Sequence, residues 1–270
     1  SFNLKIQPTI NGVNMTKKID FNCDMGESFG MHKLGMDEEV IKYITSANVA
    51  CGFHSGDPNW MKTTVDLAIE NDVEIGAHPS FNDLVGFGRR PISASYKEIK
   101  NDVIYQIGAM SAFLQKRKLQ HVKPHGALYN QALVNEDTAK AICDAVLYVD
   151  PELILVLLSG SKWAEIAKSM GLKVGLEVFA DRAVEPDGTL VSRSKEGSVI
   201  HDPDTVVERS IKMIKDGKVE AIDGSIIEYE ADTICLHGDT PGAVEMAKNL
   251  NTEFKNQDIE VVKLKDIVNE

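Results

Sequence analysis

Cysteine is scarce in this 270-residue chain, which has four: Cys23, Cys51, Cys143 and Cys235. None forms a C-x-x-C pair, and four thiols spread over this length do not make the disulfide framework of a small secreted domain. A reducing, cytoplasmic setting is expected. Long apolar runs are also missing: the longest, residues 153–158, falls far short of the roughly 20 residues of a membrane helix. Positive charge is in deficit, with 29 Lys and Arg against 41 Asp and Glu and a net charge of −12. The basic residues are scattered, so nucleic acid and anionic membranes gain no electrostatic support as partners. There is no G-x-S-x-G, no G-x-x-x-x-G-K-[ST] and no G-x-G-x-x-G, hence no recognisable ATP or dinucleotide loop. Residues 1–14 lack the apolar stretch and cleavage site of a signal peptide. They read as a short or appended extension before a natural start at Met15, with 15–270 as one domain free of linkers and repeats.

What is present is an alternation of short apolar runs and amphipathic stretches. The runs 18–23, 47–51, 73–77, 121–123, 153–158, 174–179 and 233–236 have strand length. Between them, 36–44, 58–71, 95–116, 136–149, 162–170, 205–215 and 241–255 carry apolar residues at helical spacing. Asp57-Pro58 and the Ser95/Glu98 capping box mark helix starts, and Gly171 and Gly217 sit where helices stop. Such alternation specifies a mainly parallel α/β fold. Asp223-Gly224, between two β-type runs, predicts a hairpin inserted near 219–231, and Asp187-Gly188 predicts a second over 185–191.

The ends of all seven runs carry residues able to do chemistry: Asn22, Asp24 and Glu27; His54 and Asp57; His78 and Asp83; His125; Ser159; Glu177, Asp181 and Arg182; His237 and Asp239. A doubly wound sheet gathers its ligands at one switch point, whereas a barrel gathers every strand's carboxyl end on one face. The expected fold is therefore an incomplete or distorted seven-stranded (β/α) TIM-like barrel, with 259–264 as an extra or edge strand. His54, His78 and His125 together with Asp24 would suit a borderline divalent ion, although a metal-free site with turn-capping histidines fits the same spacing. Asp20, Asn22 and Asp24 share one strand face; either all three point inward or Asp20 caps the strand start. Glu177 is embedded in an apolar run and is either paired or catalytic. Asp181-Arg182 is either a structural ion pair or a clamp reading a carboxylate. Lys123 could point a cation into the mouth. Arg89 and Arg90 read as a solvated loop, and Cys51 as a buried thiol.

The stretches Asp20-Phe-Asn-Cys-Asp-Met-Gly-Glu27, Asn48-Val-Ala-Cys-Gly-Phe-His-Ser-Gly-Asp-Pro58, Gly76-Ala-His-Pro-Ser80, Lys123-Pro-His-Gly-Ala-Leu-Tyr-Asn130, Phe179-Ala-Asp-Arg182 and Leu236-His-Gly-Asp239 resemble the LamB/YcsF family of 5-oxoprolinase A subunits. The resemblance runs in order from about Lys17 to the C-terminus. It implies a fold similar to the glycoside hydrolase/deacetylase barrel, and one component of an ATP-dependent 5-oxoprolinase that opens 5-oxo-L-proline to L-glutamate. It also implies partner subunits B and C, with ATP as a co-substrate of the complex. In similar metal-dependent deacetylases an aspartate and two histidines hold an ion; the matching positions are Asp24, His54 and His78 or His125, without a His-x-x-x-His spacing. The catalytic expectation falls on Asp24 or Glu177 as base and on His54 or His125 as donor to the leaving nitrogen or an oxyanion. Arg182 or Lys123 is expected to anchor the carboxylate, with Asn22, Asp181 and His237 nearby. The alternative is a stand-alone metal-dependent deacetylase or amidase acting on a carbohydrate or N-acyl substrate.

Overall fold

A computed structural model describes residues 16–238 and 242–269. Seven parallel strands close into a barrel: β1 (Lys17–Met25), β2 (Ser46–Ala50), β3 (Glu74–His78), β4 (His121–Val122), β5 (Ile154–Leu158), β6 (Lys173–Phe179) and β9 (Thr233–Leu236). They pair in that order, and β9 returns to β1 through Asp20↔Thr233 to Cys23↔Leu236. The expected barrel is thus present and closed, with distortion at β4, which contributes two residues. A hairpin, β7 (Lys218–Glu220) and β8 (Ile226–Glu228), stands apart as a two-stranded antiparallel sheet where Asp223-Gly224 predicts it. β10 (Ile259–Val261) runs parallel to the first residues of β1, the expected edge strand. The 185–191 turn survives as a single antiparallel bridge, Val184↔Leu190.

Helices α2 (Pro58–Glu70), α3 (Tyr96–Phe113), α5 (Glu136–Val149), α6 (Lys162–Ser169), α7 (Pro203–Asp216) and α8 (Ala243–Asn256) lie where helical spacing places them. Asp57 caps α2 and Ser95 closes a capping box with Glu98. The expected 36–44 helix shrinks to α1 (Asp37–Val40) and one 3-10 turn. Two helices have no counterpart in the helical spacing: α4 (Gly126–Val134) and α9 (Leu264–Val268). α4 buries Ala127, Leu128, Tyr129 and Ala132, so it has too little polar surface to show an amphipathic stripe. α9 lays Leu264 against Ile154 and Val156 across the amino-terminal end of the barrel.

The barrel interior is polar at its centre. Strand alternation turns Phe21, Cys23 and Met25 one way and Asp20, Asn22 and Asp24 the other. All three polar residues enter a hydrogen-bonded column. Asp20, at the bottom, accepts from Thr45 (2.8 Å), Ser46 (2.7 Å) and Thr233 (2.5 Å), tying β1 to β2 and β9. Thr233 Oγ1 also accepts from Asn22 Nδ2 at 2.7 Å, and Asn48 Nδ2 donates upward to Asn22 (2.8 Å) and Asp24 (2.9 Å). Gly76 is required by this packing, since a Cβ there would sit 2.1 Å from His121 Nε2.

Burial pushes the Asp20 carboxyl up from 3.8 to about 6 against the pull of its hydroxyl donors. The folded chain therefore holds this proton to higher pH than the unfolded chain. Its contribution is complete below about pH 4 and is lost as pH rises through about 6. Asp20→Asn, which cannot ionise, is expected to lose less unfolding free energy than the parent chain between pH 4 and 7, by about 2–3 kcal/mol. Urea titrations across that range test this, and parallel pH profiles would refute it.

Candidate active site

At the carboxyl end of the barrel, Lys123 follows β4 and points its ammonium into the centre. It lies 2.7 Å from Glu177 Oε1 and 3.1 Å from Asp24 Oδ1, and it donates to Asn22 Oδ1 (3.2 Å) and Cys235 Sγ (3.1 Å). Lys123 is 3% exposed and Glu177 fully buried, which makes this a desolvated ion triad. Burial alone would lower the lysine, yet Asp24, Cys235 and Glu177 hold its pKa well above the usual value. Burial would raise Asp24, yet His78 and Lys123 hold it well below the carboxylate range. Tyr129, on α4, donates to Glu177 Oε2 at 3.2 Å, and Asn48 is fixed by His121 Nε2 at 2.7 Å.

Beside Asp24 stand three imidazoles. His78 Nε2 faces Asp24 Oδ2 at 3.5 Å while its Nδ1 meets the Lys123 carbonyl at 2.6 Å. His54 and His125 stack with ring centres 3.8 Å apart and planes 4° from parallel. Glu27 Oε1 lies 3.0 Å from His54 Nε2 and 3.5 Å from His125 Nδ1. Burial, reinforced by neighbouring imidazoles, holds His54 and His125 well below the usual histidine range; Asp24 overcomes burial at His78 and raises it. The cluster depends on neighbouring loops. Ser55 donates its hydroxyl to the Glu27 carbonyl and Gly56 N–H to Ser28 O, which sets Glu27 against His54. Phe87 adopts φ +54°, packs edge-on against His54 and His125, and accepts from His125 Nε2 at 2.9 Å. Gly88 must be glycine, because a Cβ would sit 2.2 Å from Ser80 Oγ and 2.8 Å from His54 Cβ.

One ligand atom each from Glu27, His54, His78 and His125 lies within 4.8 Å of the others. Three imidazoles with a carboxylate are a donor set suited to a borderline divalent ion. His54 Nδ1 is buried without a hydrogen-bond partner among the described residues, and that orphaned nitrogen fits a ligating role. Asp24 groups instead with Cys235 and His237.

Above these groups a cavity of about 530 Å³ opens, lined by Asp24, Glu27, His78, Lys123, Tyr129 and His237 at its inner end. Asp181 is held by His237 Nδ1 at 2.9 and 3.0 Å. Arg182 is buried and donates to Ser198 O (Nε, 3.2 Å) and Val191 O (Nη2, 2.6 Å), pinning the segment 183–200 over the mouth. Asn22 lies one layer below Asp24. Glu177 sits behind Lys123, away from the cavity wall.

Arg89 and Arg90 are exposed, as the solvated-loop reading expects, and each also makes a specific contact. Arg90 Nε pairs with buried Asp83 at 3.0 and 3.2 Å, and Arg89 lines the cavity. Several strand-end residues are structural: Asp57 caps α2, Asp83 closes its own loop, and Ser159 accepts from Glu230 N at 3.1 Å. Burial pushes the Cys51 thiol up to about 12, which suits the inert reading. Asp239 lies outside the described residues, as do residues 1–15. Sequence reasoning gives no role to Asn48, His121, Tyr129 or Arg193; the first and third lie within the family-like motifs, and that is the available signal.

A closed parallel barrel with ionisable side chains converging at the carboxyl ends of its strands defines the class of (β/α)-barrel enzymes. The LamB/YcsF family model matches residues 19–269, and the chain belongs to that family. It is 53% identical over 253 residues to a protein from Pyrococcus abyssi named as the A subunit of 5-oxoprolinase, covering 93% of this chain and 99% of that one. The likewise named protein from Thermococcus onnurineus is 54% identical with the same coverage. The crystal structure of a lactam utilization protein from Thermus thermophilus superposes with a TM-score of 0.86 at 46% identity, over 90% of this chain and 98% of that one.

Removing Lys123 would leave Asp24 and Glu177 as facing buried carboxylates. Lys123→Met is expected to destabilise the fold by about 3–5 kcal/mol, and adding Glu177→Gln to recover part of the loss. Denaturant unfolding of the two single variants and the double variant gives the coupling; additive losses would contradict the triad.

Proposed function

We propose that this chain is the A subunit of an ATP-dependent 5-oxoprolinase, which hydrolyses the lactam of 5-oxo-L-proline to L-glutamate together with partner subunits B and C. The observation that carries this reading is the identity of about half the residues along nearly the whole length of relatives so named. The site supports it chemically. An unstrained five-membered lactam is a poor electrophile, so its carbonyl must be activated before water attacks. Without a phosphate-binding loop of its own, the chain leaves the ATP step to its partners.

Asp24 is the general base in this reading. It is the carboxylate of the ion triad that lines the cavity, and Lys123 and His78 fix its two oxygens. Glu177 and Tyr129 position Lys123 from behind. Of the stacked pair, His125 lines the cavity and is assigned to the oxyanion or the leaving nitrogen, with His54 stacked behind it. His237, braced by Asp181, forms the opposite side. Glu27, His54, His78 and His125 would hold a divalent ion, with Asp24 adjacent. Such an ion supplies Lewis-acid polarisation of the carbonyl and a more acidic water. The cytoplasm, where ATP is at hand for the coupled reaction, is the proposed location.

The deciding experiment is 5-oxoproline-dependent ATP hydrolysis and glutamate release by this chain mixed with subunits B and C, against each part alone. Activity is expected in the mixture only. Asp24→Asn is expected to lower glutamate release by at least about 100-fold while the fold is kept. An inert mixture, or an Asp24→Asn variant with full turnover, counts against the reading. Metal content measured on the purified chain is expected to be stoichiometric and to fall in His54→Ala; metal-free protein with full activity would remove the ion.

A further inference from the structure

Both cations expected to hold a substrate carboxylate are already engaged inside the fold. Lys123 faces Asp24 and Glu177, and Arg182 spends Nε and Nη2 on the carbonyls of Ser198 and Val191. Two other guanidiniums line the solvent end of the same cavity: Arg89, from the loop after β3, and Arg193, from the segment after β6. Both are exposed. Arg89 is braced by Phe87, its Cζ lying 5.0 Å from the ring centre on the backbone turn that also fixes His125. With buried Arg182 beneath them, the outer cavity carries three arginines against one carboxylate, Asp187, which accepts from Thr189 N and Oγ1, in a chain of net charge −12. Their proximity registers on Arg182, which burial, then the charges of Arg193 and Arg89, push down to about 10 despite Asp181. Like charges gathered at the rim of a cavity focus a positive potential on its entrance, and that potential favours an anionic ligand.

We propose that Arg89 and Arg193 bind the carboxylate of the lactam substrate at the cavity mouth, turning its ring carbonyl inward to Asp24 and the imidazoles. Guanidinium suits this task because it meets a carboxylate with parallel N–H donors. The cavity, about 530 Å³, gives the ring room to lie below the arginines. The assignment deepens the 5-oxoproline reading and rests on it.

The test uses the complex with subunits B and C and compares 5-oxoproline with 5-oxoprolinamide, the same ring bearing a neutral carboxamide. Arg89→Gln and Arg193→Gln are each expected to raise KM for 5-oxoproline about tenfold, with a much smaller change in kcat. Each is also expected to shrink the preference for 5-oxoproline over the amide, read as the amide's inhibition constant divided by KM. Arg→Lys at either position recovers part of both. In the unmutated complex, KM for 5-oxoproline is expected to rise with ionic strength while the inhibition constant of the amide stays level, a measurement independent of how any variant folds. Variants with unchanged melting temperature that keep both KM and the preference, or a KM that does not respond to salt, overturn the assignment alone. A parent complex that does not turn over 5-oxoproline overturns the functional reading and this assignment with it.

Discussion

A lysine ammonium buried at the centre of the barrel sets the terms for everything around it. An isolated charge there would cost many kcal/mol, so the fold surrounds Lys123 with two carboxylates, an amide oxygen and a thiol drawn from β1, β6 and β9. Those contacts account for features that look unrelated along the chain. Glu177 belongs inside an apolar strand because Lys123 reaches it. Asn22 and Asp24 alternate on β1 because both must face the same cation. Tyr129 has to come from α4, since Glu177 has a second oxygen to satisfy deep inside the barrel.

The ion triad also divides the barrel into layers. Below it lies a hydrogen-bonded network running through Asn22, Asn48, Thr233 and Ser46 to Asp20, which ties strands together where the apolar layers of an ordinary (β/α) barrel would stand. Above it, Asp24 passes from structure to chemistry: one oxygen is fixed by Lys123 and the other faces His78 at the floor of the cavity. The same carboxylate is therefore a partner the lysine requires and, in the proposed reaction, the general base. Rigidity in the lower network serves accuracy in the upper site, where sub-ångström displacements matter.

The loops complete the arrangement at some conformational cost. Phe87 holds a left-handed backbone conformation so that its carbonyl meets His125 and its ring backs His54, and Gly88 lets the chain pass against Ser80 and His54. Arg182 does comparable work on the other side, anchoring the 183–200 segment by two carbonyls and presenting Arg193 at the mouth. The arginine that the sequence offers as a carboxylate clamp thus supports the segment that carries Arg193.

Strand and helix order, the hairpin at Asp223-Gly224, the edge strand near 259 and the convergence of His54, His78, His125, Asp24 and Glu177 were legible in the sequence, because period, capping residues and turn dipeptides are local and barrel topology then brings strand ends together. Partner choice was not legible. Whether Asp181 meets Arg182 beside it or His237 after another strand, whether Asp24 or Glu27 joins the histidine cluster, and whether the exposed Arg89 also borders the cavity all depend on contacts between residues far apart in the chain. α4 escaped for a different reason: apolar residues fall on most of its turns, Val134 even on its exposed side, so no amphipathic stripe marks it. The chain by itself determined which side chains stand at the carboxyl ends of the strands. Tertiary structure alone decided which gathered into the histidine cluster, which became supports and which reached the mouth, since those placements follow from distance and desolvation.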